Sequence, residues 1–118
     1  MIAVIFEVEP AGSEGRERYL QLAGELGPLL QNIEGFISVE RFQSLTNPGK
    51  ILSLSFFRDE AAVLAWRSLP QHRLAQTAGR GGVFDDYRLR IAEVARDYGL
   101  NARDEAPPDS NEAHGLTS

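Results

Sequence analysis

The sequence predicts an α+β domain, a four-stranded antiparallel sheet with two helices on one face in the order β-α-β-β-α-β. Three observations carry that prediction. Ile2 to Glu9 alternates at period two, Tyr19 to Ile33 repeats apolar residues at three and four, and two β-rich segments flank the turn signal Asn47-Pro48-Gly49-Lys50. The 118 residues suit one domain, and 42% hydrophobic with 25% charged residues is ordinary globular usage.

The first strand spans Ile2 to Glu9, with Ile2, Val4, Phe6 and Val8 on one face and Ala3, Ile5, Glu7 and Glu9 on the other. Pro10-Ala11-Gly12-Ser13 breaks it. Ser13 is placed to cap a helix whose first turn carries Glu14 and Glu17, where carboxylates complement the helix dipole. Tyr19, Leu22, Ala23, Leu26, Leu29, Leu30 and Ile33 then form one apolar stripe. Gly27-Pro28 falls inside the stripe and predicts a kink or break, because proline lacks an N–H and crowds the preceding turn.

Gly35 ends the helical region, and Phe36 to Ser44 and Ile51 to Arg58 form an antiparallel hairpin. Asp59 caps a helix over Glu60 to Ser68, on which Val63 and Trp66 share a face. Pro70 interrupts it, and a second helical piece, Gln71 to Ala78, leads into Gly79-Arg80-Gly81-Gly82. From Val83 to about Tyr98, Tyr87, Leu89 and Ile91 alternate with Arg88 and Arg90, which predicts a long final strand with a charged edge. Residues 99–118 lack periodicity and bulky apolar residues and read as a flexible acidic tail, so the domain comprises residues 1–98.

This order of elements is the ferredoxin-like arrangement, which leaves one sheet face bare. Ala3, Ile5, Ile37, Val39, Leu52, Leu54 and Phe56 place apolar residues on that second face, and a homodimer closed through its sheets would cover them. The net charge of -5 argues against a nucleic-acid partner. The absence of cysteine removes disulfides, thiolate metal sites, iron–sulfur clusters and cysteine nucleophiles. With His72 and His114 the sole histidines, a metal site built from several histidines of one chain is not expected. The N-terminus has no basic n-region, and no apolar run approaches the roughly 20 residues of a membrane span, so a cytoplasmic protein without a membrane partner is expected.

Chemistry concentrates between Trp66 and Arg90. The single tryptophan, His72, Gln76, Arg80, Phe84 and Arg88 fall within about two dozen residues. Trp66 can wall an aromatic pocket, His72 can exchange a proton near neutral pH, and an arginine can hold oxyanion charge. The same residues also suit a core tryptophan, a surface or capping histidine and a solvated row of arginines, and composition alone favours that plainer assignment. Glu7, an acid on an otherwise apolar strand, is the reserve proton acceptor. The glycine run 79–82 lacks the Gly-Lys-Ser/Thr ending of a phosphate loop and serves as a turn or pocket rim.

The first strand MIAVIFEVEP, the hairpin GFISVERFQSLTNPGKILSLSFFRDE, and AAVLAW followed by HRLAQTAGRGGVFDDYRLRIAEVARDYG resemble the antibiotic biosynthesis monooxygenase domain over about residues 1 to 99. That resemblance implies a dimeric α/β barrel with a cavity between sheet and helices, and Trp66 as a pocket residue. Relatives in that family include monooxygenases that oxidise aromatic polyketide phenols to quinones without a cofactor, and haem-degrading enzymes. The haem-degrading branch uses a first-strand asparagine with a tryptophan and a histidine on the second helical region. Of that set this chain matches Trp66 alone: its first strand has no asparagine, and His72 stands too close to Trp66.

Ground-state oxygen is a triplet, so a reaction without metal or flavin needs a substrate electron-rich enough to give up one electron, which deprotonating a phenol or anthrone provides. In that scheme His72 is the base, Arg80 or Arg88 steadies the phenolate, and Trp66, with Gln76 and Phe84, holds the ring and excludes water. The expected function is therefore cofactor-independent monooxygenation of a small aromatic substrate. The alternatives on the same fold are a noncatalytic small-molecule-binding or stress-response module and a haem-binding relative.

Overall fold

The computed structural model describes residues 1–70, 72 and 82–113. Its elements are β1 (Ile2–Pro10), α1 (Gly12–Leu30), β2 (Phe36–Gln43), β3 (Ile51–Phe57), α2 (Glu60–Arg67), β4 (Phe84–Glu93) and a short α3 (Pro108–Ala113). The strands form one antiparallel sheet in the order β2-β3-β1-β4, the ferredoxin-like arrangement the sequence predicts. Most of the second helical piece and the glycine run, residues 71 and 73–81, lie outside the described residues.

Two local differences in α1 have physical causes. The helix starts at Gly12, not after a Ser13 cap; Ala11 is the extended residue before it and makes no side-chain cap, while Gly12 turns the chain at φ 64°. The Ala11 N–H instead donates to the Val83 carbonyl at 2.8 Å, tying the start of α1 to the segment entering β4. Contrary to the expected kink or break, α1 runs through Pro28 as one helix. Pro28 stands in the last turns on the exposed side, and the bond it omits would have reached Gly24, also exposed, so that carbonyl faces solvent and is not left in the core.

The β2–β3 hairpin closes as predicted. Asn47 Oδ1 accepts the Gly49 N–H at 3.1 Å, and the Ser44 N–H donates to the Lys50 carbonyl at 3.1 Å. Asp59 caps α2 by accepting the Ala62 N–H at 2.9 Å, and this bond, followed by the one from Arg58, holds its carboxyl below the usual range.

β4 is shorter than the expected Val83–Tyr98 strand because its partner runs out: the Val94 N–H donates to the carbonyl of Met1, where β1 begins. The chain beyond departs from the expectation of no regular structure. Arg103 lies over the Tyr98 ring at 5.2 Å and donates to the Gly99 carbonyl at 3.2 Å, and Pro108 opens α3 in the first turn, where an N–H has no intrahelical acceptor to lose.

The register also moves a residue between faces. A bulge between Phe36 and Ser38 inserts one residue into β2, so Ser38 pairs with Phe56 and Val39 with Ser55. Val39 therefore packs against the helix-side core and not on the bare face, and Phe42 stands across from Leu52 there instead.

Candidate functional site

The alternation of β3 decides where the molecule is hollow. Its helix-side residues run Ile51, Ser53, Ser55, Phe57, so two small hydroxyl side chains stand between two large apolar ones on a central strand. The buried core divides accordingly. Ile2, Val4, Leu30, Phe57, Ala62 and Val63 pack at one end, and Val8, Tyr19 and Ile51 at the other. Between them lies a cavity of about 340 Å³, bounded by Val4, Phe6, Ser53 and Ser55 of the sheet and by Leu22, Ala23 and Leu26 of α1. A space of that size takes a small organic molecule.

One end of the cavity carries the titratable ring. The Val63–Trp66 face of α2 lies toward the core, and Trp66 stacks on Phe57 with ring centroids 5.7 Å apart. His72 sits 4.1 Å from the Trp66 ring, centroid to centroid. Trp66 Nε1 and His72 Nδ1 are buried and make no hydrogen bond among the described residues. Each such orphan costs about 1–3 kcal/mol, which a ligand oxygen reaching it would offset. Desolvation pushes the His72 pKa below its usual 6.5; attraction to the Arg67 backbone raises it in part, and the Arg67 charge lowers it further. The imidazole is therefore neutral at pH 7 and able to accept a proton.

The other end is aromatic and cationic. Phe6, Tyr19, Phe84 and Tyr87 form a ring cluster with centroids between 5.7 and 6.4 Å apart. Arg41 enters from β2, and its Nε donates to the Tyr19 hydroxyl at 3.4 Å. Arg67 joins the lining from α2 at the Trp66–His72 end, and no aspartate or glutamate lines this cavity among the described residues.

The structure thus brings Trp66, His72 and Phe84 together, as the sequence suggests. It does not bring Glu7 and Arg88 to them. These two pair across β1 and β4 on the sheet face turned away from the helices, where Glu7 makes ion pairs with Arg90 at 3.3 Å and Lys50 at 3.8 Å. Neither the reserve base nor that arginine reaches this cavity. Gln76 and Arg80 lie outside the described residues. Among the described residues there is also no group of three metal-ligating side chains, and no helix long and apolar enough to cross a membrane.

Sequence reading missed Arg41, Tyr19, Ser53 and Ser55. The serines do leave a signal, a Ser-x-Ser interruption on the core face of a central strand, where β-branched residues normally fill the space. Arg41 leaves none, because the bulge that turns it inward has no sequence marker.

A family model described as antibiotic biosynthesis monooxygenase matches residues 1–78. The chain belongs to that family. Among members of known sequence, it is 50% identical over 94 residues to a Pyricularia oryzae protein named jasmonate monooxygenase ABM, covering 80% of this chain and 43% of that one. The chain thus spans less than half the length of that relative. It is 29% identical to an uncharacterized Bacillus subtilis protein, covering 80% of this chain and 79% of the relative. A putative antibiotic biosynthesis monooxygenase from Deinococcus radiodurans shares the fold with a TM-score of 0.74 at 17% identity, over 85% of this chain and 98% of that one. A cofactor-independent oxygenase from Streptomyces nogalater does so with a TM-score of 0.69 at 10% identity, over 81% and 94%.

Proposed function

We propose that this chain is a homodimeric monooxygenase that uses molecular oxygen, and no bound cofactor, to oxidise a small aromatic substrate of the phenol, anthrone or quinol type. The observation that carries the reading is His72, a neutral imidazole whose ring centroid lies 4.1 Å from that of the sole tryptophan, at the wall of a largely apolar cavity. Membership of a monooxygenase family and the cofactor-independent oxygenase among the fold relatives support the reaction class.

In this scheme the substrate binds against Trp66, whose ring packs on its face and keeps water out. His72 removes the acidic proton, and the resulting carbanion or phenolate gives one electron to oxygen. Substrate radical and superoxide combine into a peroxide, which takes back the proton from the imidazolium. Loss of water then leaves a carbonyl at the oxidised carbon, so one oxygen atom enters the product and the other leaves as water. The positive charge of Arg67, which acts on His72 and is unopposed by any acid in the lining among the described residues, stabilises the substrate anion before it meets oxygen. A second copy closing the bare sheet face completes the reading at the level of assembly.

Oxygen uptake with a panel of anthrones, naphthoquinols and phenols, without added cofactor, tests it. Uptake that His72→Ala abolishes is the expected result. Uptake unchanged in the variant would remove His72 as the base, and no uptake from any of these substrates would remove the proposed substrate class.

A further inference from the structure

We infer that Arg41, held by Tyr19, is an anion-binding residue that selects substrates carrying a carboxylate at the end remote from the oxidised carbon; this rests on the reading that the cavity takes the monooxygenase's substrate.

Arg41 is half-buried on the helix side of β2 and lines the cavity, so its donors are open to a ligand there. Its partners are few. The single bond it makes is from Nε to the Tyr19 hydroxyl at 3.4 Å, which is long, and its two terminal nitrogens have no partner among the described residues. Arg58 pairs with Glu34 and Asp59, and Arg90 with Glu7, whereas Arg41 meets no carboxylate among the described residues. The guanidinium is planar, permanently charged and shaped to bind a carboxylate through two parallel bonds. Tyr19 is buried and fixed by rings on two sides, so the contact it makes steers the fork.

The position of Arg41 gives the ligand a direction. It stands across from Ser53, whereas Trp66 stacks on Phe57, four residues further along the same strand, or about 13 Å at the rise of a β-strand. An acid group at Arg41 thus places the opposite end of a small molecule beside Trp66 and His72. The relative named a jasmonate monooxygenase takes, by that name, a carboxylate, which agrees with the chemistry of the Arg41 end.

The sole tryptophan lies in the cavity, so its fluorescence reports binding directly. Two acid and ester pairs serve as probes: jasmonate with its methyl ester, and 2-naphthoate with its methyl ester. The wild-type chain is expected to bind at least one acid about ten-fold or more tightly than its ester. Arg41→Gln should bring the acid down to the ester's affinity without changing the ester, and Arg41→Lys, which keeps the charge but not the fork, should fall between. Equal binding of acid and ester, equal weakening of both in Arg41→Gln, or no binding of any probe would overturn the assignment. Oxygen uptake on charge-blind binding would sink the anion subsite alone, whereas acid selectivity without uptake would leave the subsite and sink the oxidation reading.

Discussion

His72 is neutral near pH 7 because burial withdraws water from its charged form, and that same shift fixes two pH dependences. Its folded pKa lies below the 6.5 of the free side chain, so at lower pH the unfolded chain binds the proton more readily than the folded one. The contribution of His72 to stability is therefore complete above pH 6.5 and is lost as pH falls through its lowered folded value. His72→Gln should flatten the decline in melting temperature between pH 7 and 5; an unaltered decline would assign it to the carboxylates. As a base, His72 works down to its lowered pKa, so the acid limb of kcat/KM should lie below pH 6.5. In His72→Gln that limb should vanish, with kcat down by about 10²–10⁴-fold, the usual contribution of a positioned base. A limb that persists in the variant would belong to another group.

At the scale of elements, small side chains set both the close approaches and the hollow. A Cβ on Gly15 would stand 2.6 Å from the Val83 carbonyl, whereas one on Gly24, in the same helix, would meet nothing within 4 Å. Gly15→Ala should thus cost about 1–3 kcal/mol through forced displacement, and Gly24→Ala should add about 0.5–1 kcal/mol through helix propensity. Urea unfolding of both variants measures the contrast. Ser55, buried between the two core clusters, is the complementary case. Ser55→Leu should fill the cavity, keep or raise the melting temperature, and abolish ligand quenching of Trp66; retained binding would show that the ligand lies elsewhere. Element order, the hairpin and the Asp59 cap were legible in the sequence because period, turn residues and caps are local signals. Trp66, His72 and Phe84 were legible because aromatic and titratable residues cluster visibly along the chain. Arg41 was not, since its inward direction depends on one inserted residue at Phe36–Ser38, and Glu7 and Arg88 were misassigned because facing is fixed by pairing across strands.

At the scale of the whole molecule, the decisive feature is the sheet face turned away from α1 and α2. Ile5 and Leu54 pair at its centre beside Phe56 and Leu52, with Phe42 exposed at one side and the charges of Glu7, Lys50 and Arg90 at another. An apolar centre with a charged rim is the anatomy of a protein interface, and the antiparallel sheet would otherwise present that centre to water. A second copy of the chain would meet the requirement, because a two-fold interface joins the same patch of both subunits. Light scattering at micromolar concentration should give about twice the chain mass of 13.0 kDa. Leu54→Glu would place an unpaired carboxylate at the centre of the closed interface, a desolvation cost large enough to oppose association, and should yield a folded monomer. Removal of residues 99–118, which the sequence separates from the domain, should leave the assembly a dimer. A wild-type monomer would overturn the dimer. A dimer that survives Leu54→Glu would move the interface off the sheet, and a dimer lost with the tail would show that the last twenty residues reach across to the partner.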